Sequence, residues 1–140
     1  MPDKRKYYIE TNEQHYLHAH PREQFDVAKQ VITEMFPEYI NGWNILMNRN
    51  WAHMFNMFVM KKEYFDEFCT WWFSVMFEVE RRLDISNWET KERRWFIDEL
   101  LLDVWLETKG YKYKEVNVDF LEKQNWPKKI IDFFKRKFKW

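Results

Sequence analysis

The chain has 140 residues, with 23 Lys and Arg against 23 Asp and Glu, so its formal net charge is zero. This length suits one domain, and a single cysteine, Cys69, excludes both a disulfide framework and a multi-cysteine zinc site. Two glycines and four prolines are too few for a disordered or collagen-like chain, and no apolar stretch has the length of a membrane-spanning helix or the character of a secretion signal.

The first fifty residues are predicted to form an extended arm and two helices. Residues 1–9 are predicted to be extended, as a short strand or an anchoring arm. Pro21 suits the first turn of a helix, and Pro37 ends that helix because proline lacks an amide donor and disfavours helical angles at the preceding residue. Between them, apolar residues recur at helical spacing: Phe25, Ala28, Val31, Ile32, Met35 and Phe36. A second helix is predicted over 38–48, where an Asn-Arg-Asn cluster breaks it.

The middle of the chain contains an apolar run and two longer helices. Residues 51–60 are nearly all apolar, which predicts a strand covered on both faces or else the first turns of the following helix. A broad apolar face predicts that helix over 63–83. A third helix is predicted over about 90–108, with Thr90 as its N-cap and Gly110 as its stop.

The remaining segments are short. Residues 84–87 are predicted to form a turn, 111–120 alternates in the manner of a strand, and 127–140 has the pattern of an amphipathic helix. The chain is therefore expected to be helix-dominated with two or three short strands. Because two strands rarely form a stable sheet alone, we expect one part of a larger α/β layer. Its predicted units are a body over 1–126 and a tail helix over 127–140.

Three histidines lie close together at His15, His18 and His20. On a helix the first two share a face, and on a strand the last two do. Neither geometry gathers all three, and no nearby cysteine or carboxylate completes a tetrahedral metal set. Histidines on the surface or lining a polar cleft are the favoured interpretation, ahead of substrate contact and well ahead of metal binding.

His53 and Asn56 interrupt the apolar run over 51–60. A buried polar side chain costs free energy unless it is hydrogen-bonded. Each residue is therefore either satisfied by a partner in the core or directed into a cleft, and the sequence slightly favours the core.

Two adjacent carboxylates, Asp98 and Glu99, stand within the third helix, and Asp103 shares a face with Glu99. A carboxylate beside apolar neighbours can have a raised pKa and act as a general base, although a solvated helix face is the commoner situation. The sequence contains no Gly-rich phosphate loop, no Ser or Cys nucleophile motif and no Asp-x-Asp pair for a metal-bound nucleotide.

The tail carries six basic residues against Asp132 alone, which leaves the rest of the chain with a net charge of −5. As a helix it would place apolar side chains opposite lysines, a pattern typical of a segment lying on an anionic membrane surface. A solvated or packed tail is the second interpretation, and the acidic body disfavours nucleic acid, the third. The expected membrane-binding residues are Lys128, Lys129, Phe133, Phe134, Lys135, Arg136, Lys137, Phe138, Lys139 and Trp140.

Several stretches, in order along nearly the whole chain, carry a family resemblance. They are Tyr7–Glu10 with His15-Tyr16 and His18-x-His20, Phe36–Tyr39, His53–Lys62, Leu83–Ser86, Glu99–Leu106 and Leu121–Trp126. Together they resemble the C-terminal half of a bacterial family of glycosyltransferase-like proteins of capsule and exopolysaccharide biosynthesis, long classed as a domain of unknown function. The stretch from His53 to Lys62 is the most specific.

This resemblance implies an α/β, Rossmann-like transferase of the GT-A type that acts in the cytoplasm, at the inner face of the membrane, on a lipid-linked saccharide acceptor. It implies that the donor-binding half is absent here. The present chain, which corresponds to the C-terminal half, would supply the acceptor side of the cleft. It implies Glu99 as catalytic base or ligand of the acceptor hydroxyl. The implied substrate-binding residues are His15, Tyr16, His18, His53, Asn56 and Asp98.

One departure from the family pattern is Leu100, where the family commonly has Arg directly after the glutamate. We expect no cofactor or metal site in this chain, while the complete enzyme would take a nucleotide-sugar donor with or without a divalent metal. The expected partners are the acceptor, an anionic membrane and a donor-binding subunit, but no nucleic acid. The alternative function is a non-catalytic membrane-associated module or an inactive fragment.

Overall fold

A computed structural model describes residues 1–54, 56–83, 97–119, 121 and 125–138. Helices dominate it, as predicted, and its two strands are two residues long. In chain order the elements are β1 (Arg5–Lys6), α1 (Asn12–Ala19), α2 (Arg22–Met35), a 3-10 turn (Pro37–Tyr39), α3 (Ile40–Asn48), β2 (Trp51–Ala52), α4 (Lys62–Arg82), α5 (Asp98–Lys109) and α6 (Trp126–Phe138).

Local signals explain most helix ends. Helix α2 begins directly after Pro21 and ends before Pro37, as predicted. Helix α5 ends at Gly110, whose φ of 65° is the left-handed conformation that favours glycine. Helix α1 was not predicted, although Thr11 and Gln14 form a complete capping box at its start.

The long helix predicted over 63–83 is confirmed as α4. The predicted turn over 84–87 and the Thr90 cap of the third helix lie outside the described residues. The described part of that helix, α5, begins at Asp98.

The predicted arm over 1–9 contains a strand, whereas the strands predicted over 51–60 and 111–120 are only partly observed. β1 and β2 pair antiparallel, with Arg5 opposite Ala52, so of the described residues in the predicted strand over 51–60 only Trp51 and Ala52 join a ladder. Residues 111–119 make a single parallel bridge, between Val116 and Pro2, instead of a strand. Their alternating sequence is not matched by alternating burial, since both Tyr113 and Val116 are exposed, and the N-terminal arm offers too short a partner for a longer ladder. Phe120, the last residue of that prediction, lies outside the described residues.

Helix α5 is the centre of the core. It packs against α3 and α4, while α2 packs against α4. Every residue from Leu100 to Leu106 is buried, which is typical of a helix surrounded by others. Gly42 of α3 allows the close approach, because a Cβ there would clash with the Thr108 hydroxyl and lie 2.9 Å from the Val104 carbonyl oxygen. Asp98 and Glu99 stand at one end of this buried helix and Asp103 near its middle.

Among the described residues, no helix is both long and apolar enough to span a bilayer. The division into a body over 1–126 and a tail over 127–140 stays a prediction, although α6 begins within one residue of it.

Candidate functional site

Asp98 and Glu99 occupy the first turn of α5. Asn56 Nδ2 donates a hydrogen bond of 3.1 Å to Asp98 Oδ2. Burial raises the pKa of the Asp98 carboxyl above its usual range, while hydrogen bonds from the Glu99 backbone and from Asn56 act in the opposite direction. The structure therefore brings three predicted site residues together at one end of the central helix.

Glu99 lines a small cavity of about 50 Å³. Burial raises the pKa of its carboxyl, the Asp98 charge raises it further, and Arg5 lowers it. A carboxylate whose pKa is raised is a stronger base than an exposed one. The other residues that line the cavity are Tyr7, Asn12, His15, Tyr16, His20, Met54 and Leu100. Leu100, which departs from the family pattern, is thus a buried part of the wall.

Two buried polar atoms of this wall, the Tyr7 hydroxyl and Asn12 Oδ1, have no hydrogen-bond partner in the part of the chain that the structure describes. The Asn12 amide is held by its nitrogen, which donates to the carbonyl oxygens of Leu46 and Trp51, both at 2.8 Å. Burial raises the pKa of Tyr7, so its hydroxyl stays protonated at neutral pH. One unmet donor and one unmet acceptor beside Glu99 fit a ligand hydroxyl or a water.

Tyr16 contributes to the cavity from α1. Its hydroxyl donates to Gln24 Oε1 at 3.0 Å, and burial, reinforced by the Asp98 charge, raises its pKa. The His20 ring packs against the Tyr16 ring with centroids 4.8 Å apart. Tyr16 and His20 therefore form part of the cavity wall, and the Tyr16 hydroxyl is already used in its bond to Gln24.

Glu10 is a site residue that the sequence analysis missed. It is buried, and its two oxygens contact His15 Nδ1 at 3.1 Å and His18 Nδ1 at 3.0 Å. Glu10 is thus the carboxylate that holds these two histidines. Tyr7 stacks on His15 with ring centroids 3.9 Å apart, while the His18 side chain is 48% exposed. The helical arrangement of His15 and His18 is the one observed. The overlooked signal was an acidic residue directly before a helix cap.

No group of three His, Cys, Asp or Glu side chains within the described ranges is arranged to hold a metal ion. No described residue is therefore assigned to one.

His53 lies apart from the Glu99 cavity and is fully buried. Its backbone N–H donates to Asp103 Oδ2 at 2.8 Å, its Nδ1 lies 2.6 Å from Asp103 Oδ1, and its Nε2 lies 3.3 Å from Glu115 Oε1. Arg49 adds an ion pair of 3.3 Å to Asp103. His53 is therefore a satisfied core residue, the interpretation that its sequence context slightly favoured.

The tail residues form α6, as predicted. The side chains of Lys128, Lys129, Phe134 and Lys135 are exposed. Four further expected membrane-binding residues lie within α6: Phe133, Arg136, Lys137 and Phe138. Lys139 and Trp140 lie outside the described residues.

Comparison with known proteins places the chain in a family. A family model described as "Domain of unknown function (DUF4422)" matches residues 1–110. The chain belongs to this DUF4422 family. No curated protein matches it.

The fold of this DUF4422 member is similar to part of a solved structure, the WbbM bifunctional glycosyltransferase in its apo form. The two are 23% identical with a TM-score of 0.72, and the match covers 83% of this chain and 22% of that one. The likeness shows that the two share a fold over the matched region. The chain spans about a fifth of the length of the structure it matches.

Proposed function

We propose that this chain is the acceptor-binding part of a glycosyltransferase for capsular or exopolysaccharide biosynthesis. The observation that carries the proposal is the Glu99 carboxyl, with its raised pKa, in a cavity where the Tyr7 hydroxyl and Asn12 Oδ1 lack partners. The fold likeness to a bifunctional glycosyltransferase supports the reaction class.

In the proposed reaction a hydroxyl of a lipid-linked saccharide enters the cavity. The Tyr7 hydroxyl donates to its oxygen, and Asn12 Oδ1 accepts from a neighbouring hydroxyl. The acceptor oxygen attacks the anomeric carbon of a nucleotide sugar while Glu99 takes its proton. The bond from that carbon to the diphosphate breaks, and the nucleoside diphosphate leaves with the bonding electrons. Since the cavity holds only a few atoms, the hydroxyl-bearing edge of the sugar enters and the ring stays outside.

The proposal assigns donor binding to another polypeptide or to a part of the protein beyond this chain. The amino-acid sequence has no Gly-rich phosphate loop and no Asp-x-Asp pair. Sugar nucleotides, with and without a divalent metal, should therefore bind this chain weakly or not at all in calorimetry. Tight binding would contradict this assignment while leaving the acceptor site open to its own test.

The acceptor site is tested by NMR with a series of methyl pyranosides and short oligosaccharides. At least one should shift the backbone amides of Tyr7, His15 and Glu99, and Glu99→Gln should weaken that response. Glu63→Gln, at an exposed position of α4, is the matched control. Shifts that are absent throughout the series, or that lie away from this cavity, would contradict the proposal.

A second candidate function, a non-catalytic module on a membrane surface, is favoured by α6. Its apolar residues Trp126, Ile130, Ile131 and Phe134 are all about half exposed or more. On a helical projection they fall on one arc, with Lys128 and Lys135 outside it, while Lys129 Nζ lies 5.4 Å from the centroid of the Trp126 ring. Apolar side chains facing the acyl boundary and lysines facing anionic headgroups are the arrangement of an interfacial helix. It would place either kind of protein at the inner face of the cytoplasmic membrane.

Flotation with vesicles tests this placement. The chain should float with vesicles containing phosphatidylglycerol and not with pure phosphatidylcholine. Because each lysine near an anionic surface contributes on the order of 1 kcal/mol, Lys128→Gln with Lys129→Gln should reduce binding about 30-fold. Lys29→Gln, on the exposed side of α2, should have no such effect. Equal flotation with both lipids, or tighter binding to duplex DNA, would contradict it.

A further inference from the structure

A second cavity shares no lining residue with the cavity at Glu99. It has a volume of about 540 Å³ and lies between the start of α4, the second half of α5 and residues 111–114. This volume is within the range of small-molecule sites. Its apolar walls are formed by Phe58, Tyr64, Leu102, Trp105, Leu106 and Tyr111.

The charged groups of this cavity are all positive. Lys61, Lys112 and Lys114 line it, and among its described lining residues there is no Asp or Glu. The three lysines are exposed, and none forms an ion pair with another described residue. Two neighbouring lysines behave differently, because Lys62 pairs with Asp66 and Lys109 Nζ lies 2.6 Å from Glu67 Oε1. An anion is therefore the ligand that complements this rim.

Two aromatic residues of the wall leave the anion to the lysines. The Trp105 ring lines the cavity, but its indole Nε1 is itself buried and has no acceptor among the described residues. The Tyr111 hydroxyl, which also belongs to the wall, is already used in a bond of 3.1 Å to Glu67. The two rings therefore offer apolar surface to a ligand, and the lysines offer the charge.

From these observations we infer that the cavity binds an amphipathic anion, an apolar chain that ends in a phosphate. The chain lies against the aromatic and leucine walls, and the phosphate lies at the three lysines. The inference goes beyond the proposed function, since the cavity is separate from Glu99 and no step of the transfer uses it.

Calorimetry with decyl phosphate, below its micelle concentration, tests the inference. Decyl phosphate should bind at one site. Decanol should bind at least about tenfold more weakly, since it lacks the charge, and inorganic phosphate should not bind because it lacks the chain. Decyltrimethylammonium, which carries the opposite charge, should not bind. Equal binding of the three decyl compounds, or no binding of decyl phosphate, would overturn the inference.

Two pairs of variants locate the site. Val59 lines the cavity and is 98% exposed, so Val59→Asp adds a repelling carboxylate without a cost to folding, and Val59→Asn is its neutral control. The double variant Lys112→Gln with Lys114→Gln should bind decyl phosphate about tenfold or more weakly, as expected when charge-assisted contacts are lost. The same change at Lys128 and Lys129 of α6 should leave binding intact.

The inference would be overturned if Val59→Asp left decyl phosphate binding unchanged, or if binding were lost only in the α6 variant. Saccharide shifts at Glu99 would be unaffected by either result, so the two proposals can fail separately.

Discussion

Asn56 donates a hydrogen bond from Nδ2 to Asp98 Oδ2, joining two residues that are 42 positions apart in the chain. The bond ties the irregular segment after β2 to the first turn of α5. It also orients the carboxyl next to Glu99, which itself lines the cavity. The candidate site depends on this return of the chain across the end of the buried helix.

Glu99→Gln should stabilise the protein at neutral pH. The pKa of Glu99 is raised on folding, so its stabilising contribution is complete below the unfolded value of 4.5 and is lost as pH rises through the folded pKa. At neutral pH the ionised group therefore costs stability, and glutamine should restore about 0.5–1 kcal/mol, a typical size for relief of a strained functional group. Urea unfolding at several pH values measures it, with Glu63→Gln as the control. The assignment would be contradicted if the gain in the free energy of unfolding did not shrink towards acid pH, or if the variant were less stable.

Asp103→Ala should be strongly destabilising. The buried carboxylate accepts from the His53 backbone, contacts the His53 ring and pairs with Arg49. Removing one member of a buried ionic cluster leaves the others unpaired, which typically costs about 3–5 kcal/mol. Thermal and urea unfolding should show the difference from Asp26→Ala, an exposed position of α2 expected to change stability by less than about 0.5 kcal/mol. A loss as small as the control's would mean that the cluster is not structural.

Gly42→Ala and Gly110→Ala should destabilise for different reasons. A Cβ at Gly42 meets the Thr108 hydroxyl and the Val104 carbonyl, so overpacking should cost about 1–3 kcal/mol. A Cβ at Gly110 meets nothing within 4 Å, so only its positive φ is penalised, at about 1 kcal/mol. Thr108→Ala should rescue part of the first loss and none of the second. Rescue of both, measured in urea, would refute the steric explanation.

Glu10→Ala should cost more than His18→Ala. The glutamate is buried and contacts both His15 and His18, so its loss leaves two ring nitrogens without a partner there and should cost about 1–3 kcal/mol. His18 is half exposed, and water can replace it, so its truncation should cost less than about 1 kcal/mol. Guanidinium unfolding of both variants checks the order, and the reverse order would show that Glu10 is not the anchor.

The sequence predicted helices better than strands for a physical reason. Pro37 and Gly110 act locally, through their own backbones, so the ends of α2 and α5 could be located from residue types alone. A strand needs a hydrogen-bonded partner, and the alternation over 111–120 could not reveal that only a short arm was available at Val116. Helix α1 was missed because its apolar pattern is weak, although its cap at Thr11 was visible.

The site was predictable only in part. Asp98, Glu99 and Asn56 were identified as candidates by their types and positions, but their contact depends on tertiary packing. Asn12 stood in a segment without a motif, and Tyr7 stood in a stretch that carries the family resemblance but gave it no role. Only burial without a described partner distinguishes their polar atoms. His53 was placed with the site by family resemblance, while the structure puts it with Asp103, one turn further along α5.

The most direct test of the central claim is a carbon-detected NMR titration of the side-chain carboxyl of Glu99, with and without a saccharide that binds. We predict a Glu99 pKa above 4.5 in the free protein and a further change when the sugar occupies the cavity. A pKa at the usual value for glutamate that does not change when saccharide is added would contradict the account. Glu99 would then not be the group that takes the proton of the acceptor hydroxyl.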